Sequence, residues 1–460
     1  MKKIILSLVT IAFLVGCNEG AKPKEAATSE KTEMLAPIAD SVLETATIYE
    51  ANIRQYSEEG TFNEFTKDIP ALKEMGIDII WVMPIYPISS TKSKGSLGSY
   101  YAITDYTKVN PEFGTLKDFQ KLVKTAHDNG IYVVLDWVAN HTGWDHVWIK
   151  EHPDYYTQDK DGNIVDPLNP ETGESWGWTD VADLNYDNMN MRKEMTEDML
   201  YWVKEQNIDG FRCDVADNVP TDFWAEAIPE LRAEKPIFML AESAKAELVP
   251  VGFDMLYNWP GLHTMNEIAK GEKPASAWNQ LKAEQDSTYT KGTIFMNFIT
   301  NHDENSWNGT VFERLGDGTE AFAALEYMTP GMPLIYSGQE YDMNKALLFF
   351  EKDTINKTKG KFYSIYEKLN VLKETHTALN GGKNAAAYEP IATSDDTKIL
   401  AFKRSKAGDT VYYIANLTSE SIDAEVRLIG DFTNYMTGEK IKLGPAKFAL
   451  KPWQYMILVK

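Results

Sequence analysis

From about Thr45 onward, short apolar runs alternate with stretches whose apolar residues recur at helical spacing. Ile48-Tyr49-Glu50-Ala51 is the first run, and a helix with Phe65, Ile69, Leu72 and Met75 on one face follows it. Asp78-Ile79-Ile80-Trp81-Val82 and Ile131 to Leu135 are the next strands, and Met195, Met199, Trp202 and Val203 mark the helix ahead of Gly210-Phe211-Arg212. Further runs at Ile237 to Leu240, Phe253 to Leu256, Ile294 to Phe298 and Pro333 to Tyr336 bring the strands to about eight. A repeated strand-then-helix order predicts an α/β fold with a parallel sheet and right-handed crossovers, and eight units predict closure into a (β/α)8 TIM barrel. An open doubly wound sheet is the alternative, but no phosphate-binding glycine fingerprint supports it.

Two regions break the rhythm. Residues 143–182 carry Pro153, Pro167, Pro170, several glycines and the aromatics Trp144, Trp148, Tyr155, Tyr156, Trp176 and Trp178. This reads as an inserted domain after strand 3, on the barrel face where loops carry chemistry. Most of its aromatics are expected to pack its own small core, with one or two left to line a site. After about Ala378 the pattern becomes short alternating strands, Ile399 to Phe402, Val411 to Ile414 and Ile422 to Val426, split by turns such as Gly408-Asp409. The expected division is a barrel over 43–380, interrupted by the insertion 143–182, and a C-terminal antiparallel β-sandwich over 381–460.

The start of the chain is different again. Met1-Lys2-Lys3, an apolar run from Ile4 to Val15, and Gly16-Cys17 form a leader too short to span a bilayer, which needs about 20 apolar residues. Leu14-Val15-Gly16-Cys17 resembles the lipobox of bacterial lipoproteins, which implies cleavage before Cys17, lipidation of its thiol and a lipid-anchored place in the bacterial cell envelope. The leaflet is open: Asn18-Glu19 carry no sorting signal, so outer-membrane, periplasmic and cell-surface display all stand. Residues 18–42, rich in Lys, Glu, Ala, Thr and Ser, read as a flexible tether. The only other cysteine is Cys213, so there is no disulfide framework. The net charge of −22, from 46 basic against 68 acidic residues, argues against a nucleic-acid partner.

Barrel chemistry collects at the C-terminal ends of strands, where four acids directly follow apolar runs: Asp136, Asp214, Glu242 and Asp303. Carboxyl pairs roughly 5–5.5 Å apart are what a retaining glycosidase uses, one as nucleophile and one as acid and then base. The acid must keep its proton near neutral pH, which crowding by other carboxylates favours. Arg212 shares a strand face with Asp214 and would keep that residue ionised. Cys213 then faces away from the site.

The stretches Asp136-Trp137-Val138-Ala139-Asn140-His141, Gly210-Phe211-Arg212-Cys213-Asp214, Ala241-Glu242 and Asn301-His302-Asp303 resemble, in order and spacing, four regions of the α-amylase family, glycoside hydrolase family 13. Ala182-Asp183-Leu184-Asn185 resembles a fifth region, and Gly98 to Tyr106 with Pro111 to Thr115 resembles the segment bearing the family's sugar-stacking tyrosine. The resemblance implies Asp214 as nucleophile, Glu242 as general acid/base and Asp303 as transition-state stabiliser. It implies that His141, His302 and Tyr101 bind the sugar at the cleaved bond and that Asp136 partners Arg212. The substrate it implies is an α-glucan or maltooligosaccharide cut at α-1,4 bonds. Asn140 and Asp183 stand where the family holds calcium, with hydrogen bonding of the insertion as the other role open to them; no organic cofactor is implied.

The chain departs from many α-amylases at Asp217 and Asn218, where a lysine and a histidine touch the leaving sugar. This leaves neopullulanase or cyclomaltodextrinase, α-glucosidase and transglycosylase activities open beside hydrolysis of starch. A non-catalytic glucan-binding lipoprotein is the reading from another class, and it predicts a broken triad.

Overall fold

The structure is a computed structural model that describes residues 35–460. The leader 1–17 with Cys17, and the tether as far as residue 34, lie outside the described residues. The described residues begin inside the expected tether. Asp40–Thr45 is a short helix, and Ile38 and Leu43 are buried against the barrel core.

The strands up to residue 336 are β1 (Ile48–Ala51), β2 (Ile79–Val82), β3 (Tyr132–Trp137), β4 (His141–Gly143), β5 (Val181–Asp183), β6 (Gly210–Cys213), β7 (Phe238–Ala241), β8 (Met255–Tyr257), β9 (Ile294–Asn297) and β10 (Met332–Tyr336). A closed parallel barrel runs β1-β2-β3-β6-β7-β8-β9-β10 and back to β1, as the strand-helix rhythm predicts. Strand alternation sorts the side chains into two layers. Ile48, Ile79, Trp81, Val134, Leu240, Met255, Ile294 and Leu334 form one buried cluster, while their neighbours Tyr49, Ile80, Val133, Met239 and Ile335 join the larger cluster with the helices. At about 1.5–3 kcal/mol per buried large apolar side chain, both layers hold the register against a one-residue slip. Cys213 falls in the larger cluster, between inward-facing Arg212 and the start of the next loop.

Helices connect the strands with ordinary local chemistry. Thr61 caps Phe62–Met75 by accepting from Glu64 N, and Thr115 with Asp118 makes a reciprocal capping box for Leu116–Asp128. In the insertion, β4 and β5 pair antiparallel with His141 opposite Asp183 and so clasp the base of the segment between them. Trp148 and Tyr155 are buried there and donate to the two oxygens of Glu194, at 2.7 and 3.0 Å.

The C-terminal strands are β11 (Ala387–Pro390), β12 (Ile399–Lys406), β13 (Asp409–Asn416), β14 (Ile422–Ala424), β15 (Gly430–Asn434), β16 (Lys440–Leu443), β17 (Phe448–Leu450) and β18 (Tyr455–Val459). They form an antiparallel sheet in the order β11-β12-β13-β18-β15-β16 and a separate β14-β17 pair. Arg404 on β12 is fully buried and donates to the carbonyls of Met328, Asn380, Ala386 and Ala387, while Tyr413 donates to Ala321 O at 2.7 Å. These bonds tie the sheet to carbonyls of a barrel helix and of the loops it covers, among them the helix-end carbonyl of Met328.

Candidate active site

In-register pairing of β3 with β6 sets Asp136 beside Arg212. The guanidinium is fully buried and reaches three acids: Nη1 lies 2.9 Å from Asp136 Oδ1 and 2.9 Å from Asp214 Oδ1, and Nη2 lies 2.9 Å from Glu242 Oε2. The first two contacts are hydrogen bonds. The third is close in distance but outside hydrogen-bond geometry. Arg212 Nε also donates to Tyr257 OH at 3.0 Å. Burial works against the charge of Arg212, yet Asp136 and Glu242 outweigh it and push its pKa up. Burial drives Asp136 up to about 7 although Arg212 pulls it down. Its second oxygen accepts from Trp81 Nε1 at 3.1 Å and Tyr101 OH at 3.2 Å.

Asp214 and Glu242 follow β6 and β7 directly. Asp214 N donates to Trp137 O and Glu242 N to Cys213 O, so each loop start is tied to the strand before it in the ring. Val215 has φ +36°, an unusual conformation for a β-branched residue, and its N–H donates to Glu242 Oε2 at 2.8 Å. The Glu242 carboxyl is raised well above the ordinary range, by burial first, with Arg212 opposing and Asp214 and Asp303 adding. Burial and like charge are the two means by which a carboxyl keeps its proton at neutral pH.

Asp303 sits in the first turn of His302–Trp307, capped by Asn301, which accepts from Glu304 N at 2.8 Å. His302 Nε2 is 3.3 Å from Asp303 Oδ2 and 2.8 Å from Tyr101 OH, and its Nδ1 is 2.5 Å from Glu50 Oε1. Burial lowers the His302 pKa, but Asp303 and Glu50 more than reverse this and bring it to about 9. Glu50, inward-facing on β1, was not among the acids singled out from the sequence. Its one signal there is a lone acid inside the apolar run Ile48 to Ala51. The Tyr101 ring stacks on His302 at 5.6 Å and 18°.

Tyr101, His141, Asp214, Glu242, His302 and Asp303 line one cavity of about 690 Å3. Around them stand Lys94, Ser99, Trp178, Asp180, Val215, Trp259, Trp307, Phe349 and Phe350, none assigned from the sequence to specific contacts. Trp178, one of the insertion's aromatics, packs edge-on to His141 at 5.9 Å and stacks with Trp176 at 5.7 Å. Burial lowers the His141 pKa, with Asp214 and Asp180 opposing, which favours its neutral form.

Asn140 directly precedes β4 and Asp183 ends β5, so both stand at the base of the insertion. Asn140 Nδ2 is 3.2 Å from His141 Nδ1, and the carboxyl of Asp183 interacts with Thr157 and Asp166. Burial raises Asp183 to about 7. Calcium takes six to eight oxygen ligands, drawn from amide and backbone carbonyls and water as well as carboxylates; among the described residues no three or more His, Cys, Asp or Glu stand together as a metal-binding group.

The profile of the α-amylase catalytic domain matches residues 44–369, which takes in the barrel and the insertion. This chain belongs to the α-amylase family. Curated relatives of this α-amylase-family chain include alpha-amylase MalA of Haloarcula japonica, 24% identical over 86% of this chain and 59% of that protein, and alpha-amylase 3 of Dictyoglomus thermophilum, 26% identical over 81% and 84%. The chain thus spans less than two thirds of the length of the first and most of the second. Solved structures include a maltogenic alpha-amylase from Thermotoga neapolitana, 28% identical with a TM-score of 0.82, and an alpha-amylase from Lactobacillus plantarum, 31% identical with a TM-score of 0.80. Each alignment covers 90% of this chain and 98% of the other.

Proposed function

We propose that this α-amylase-family glycoside hydrolase cleaves α-1,4 bonds of starch, glycogen or maltooligosaccharides in two steps with retention at the anomeric carbon. The observation that carries the reading is the shared guanidinium of Arg212, which joins two carboxyls following neighbouring strands, one of them raised well above the ordinary range. In the first step Asp214 Oδ attacks the anomeric carbon, while Glu242 gives its proton to the departing glycosidic oxygen. This forms an ester to Asp214. In the second, Glu242 takes a proton from water, whose oxygen attacks the same carbon and frees Asp214. Asp303 faces the positive charge that develops on the sugar, and Tyr101, His141 and His302 hold that ring.

The decisive variants are Asp214→Asn and Glu242→Gln, assayed on maltoheptaose and soluble starch. Each is expected to lose hydrolysis by at least a thousandfold, and full retention by either refutes its role. Proton NMR of the fresh product is expected to show the α-anomer. Larger oligosaccharides as the main products would instead indicate transglycosylation.

We also propose anchoring through lipidated Cys17 in the bacterial envelope. Its support is the sequence Leu14-Val15-Gly16-Cys17 behind a lysine-led apolar run. Labelling cells with a clickable fatty acid tests it: label on the full chain and none on Cys17→Ser is expected, and equal label on both refutes it.

A further inference from the structure

Residues 89–99, Ser-Ser-Thr-Lys-Ser-Lys-Gly-Ser-Leu-Gly-Ser, lie in the long connection between β2 and helix Leu116–Asp128. Their composition reads as a flexible loop, yet they are pinned at both ends. Toward the insertion, Asp145 Oδ2 accepts from Ser90 N and Thr91 N at 2.8 Å each and from Ser89 Oγ at 3.0 Å. Lys92 Nζ sits 3.2 Å over the Trp144 ring, and Lys94 Nζ lies 2.7 Å from Asp180 Oδ1. Toward the segment after β10, Ser96 N donates to Glu351 Oε1 at 2.9 Å, Ser96 Oγ bonds the other oxygen of Glu351, and Leu97 N donates to Phe350 O at 3.1 Å. Gly95 has φ +65°, and a Cβ there would lie 2.3 Å from Phe350 Cβ, so the backbone is pressed directly onto that side chain. Buried Arg54 holds the carbonyls of Leu97 and Gly98 from beneath.

These bonds carry the loop from the connection after β3 to the segment after β10, across the side of the barrel mouth where β1 and β2 end. Glu242 follows β7, which is four strands from β1 in either direction round the ring and so diametrically opposite. If Glu242 is the acid, the departing part of the chain must lie on its side, and the non-reducing part extends toward the loop. Lys94 and Ser99 of the loop, with Phe349 and Phe350 behind it, line the same cavity as the three carboxyls.

We propose that residues 89–99 are a wall that ends the cleft on its non-reducing side, so that the enzyme engages α-glucans by free non-reducing chain ends and releases short oligosaccharides. The proposal rests on Glu242 as acid and deepens the hydrolase reading by naming the part of the substrate admitted. A cleft open at both ends would accept a chain anywhere along its length. A walled one accepts only an end that fits.

The test compares maltoheptaosides that carry the same chromophore at the reducing end and either a free or a 4,6-ethylidene-blocked non-reducing end, with products separated by chromatography. The wild type is expected to cleave the blocked substrate at less than a tenth of the rate of the free one. Cleavage of the blocked substrate at more than half the rate of the free one overturns the proposal. The double variant Lys94→Ala/Ser96→Ala, which cuts one tie at each end, is expected to raise the blocked-to-free ratio at least threefold, and an unchanged ratio overturns the assignment to this loop. Failure to cleave the free substrate would count against the hydrolase reading instead, so the two ideas fail separately.

Discussion

Replacing Glu50 by glutamine keeps the shape of the side chain that meets His302 but removes its charge. In the native site His302 rises from an ordinary 6.5 to about 9 although burial opposes it, because Asp303 and Glu50 favour the imidazolium. At about 1.4 kcal/mol per pH unit, the climb amounts to roughly 3 kcal/mol in favour of the protonated ring. Glu50 supplies the shortest contact, 2.5 Å at Nδ1, whereas Asp303 stands 3.3 Å from Nε2 and is partly exposed. With glutamine in place and burial unopposed on that side, the His302 pKa is expected to fall by at least one pH unit. If the protonated ring is the form that serves the sugar, activity is lost as pH rises through this pKa. The alkaline limb of kcat/KM should therefore move toward neutrality in Glu50→Gln. The raised pKa also stabilises the fold, in full below about 6.5 and progressively less as pH climbs through about 9. The variant should lose stability at pH 6 but little at pH 10. NMR titration of the His302 ring in both proteins checks the premise directly. An unchanged His302 pKa in Glu50→Gln would refute the reasoning, whatever the activity did.

Other perturbations test neighbouring parts of the site. Tyr101→Phe removes the hydroxyl shared by Asp136 and His302 but keeps the stacked ring, so kcat on maltoheptaose should fall about tenfold, the usual scale of one charge-assisted hydrogen bond, with KM nearly unchanged. Asp136→Asn leaves Arg212 with one fewer buried counter-charge, and a loss of about 3 kcal/mol in urea unfolding is expected. Gly210→Ala drives a Cβ to 2.0 Å from the Phe238 carbonyl oxygen on the adjacent strand; since backbone cannot step aside as a side chain can, a Tm drop of several degrees or failure to fold is expected. EDTA dialysis followed by added calcium separates the two roles open to Asn140 and Asp183: a Tm that falls and is restored in the parent but does not respond in Asp183→Ala assigns them a cation, and a Tm unmoved by EDTA assigns them to hydrogen bonding of the insertion.

The barrel was legible because each strand is a short apolar run in which both layers of side chains are buried, a pattern that survives without knowing any partner. Asp136, which the structure places inside β3 near its C-terminal end, and the acids after β6, β7 and β9 were legible for a related reason: a charge placed directly after an apolar run stands out. Glu50 escaped because it lies within the run rather than after it, and only the barrel's closure brings His302 against it across a separation of 252 residues. The 89–99 loop escaped more completely. Serine, glycine and lysine carry no periodic signal, and the ties that fix this segment come from Asp145, Asp180 and Glu351, the last 255 residues away. In the C-terminal sheet, β12 and β13 could be read from their apolar runs, whereas β15 and β16 mix lysine, threonine and glycine and owe their place to pairing with β18 and with each other.

Arg212, shared by Asp136, Asp214 and Glu242, has a consequence for how the site can change over generations of mutation. One cation serving three acids makes their substitutions epistatic: the effect of altering one depends on which of the others still holds the guanidinium. Single replacements remove a counter-charge and leave the rest in a strained balance, while paired replacements need not cost the sum of their parts. Evolutionary routes to new specificity are therefore easier through the cavity's outer lining, such as Trp178, Trp307 or Lys94, than through this buried hub.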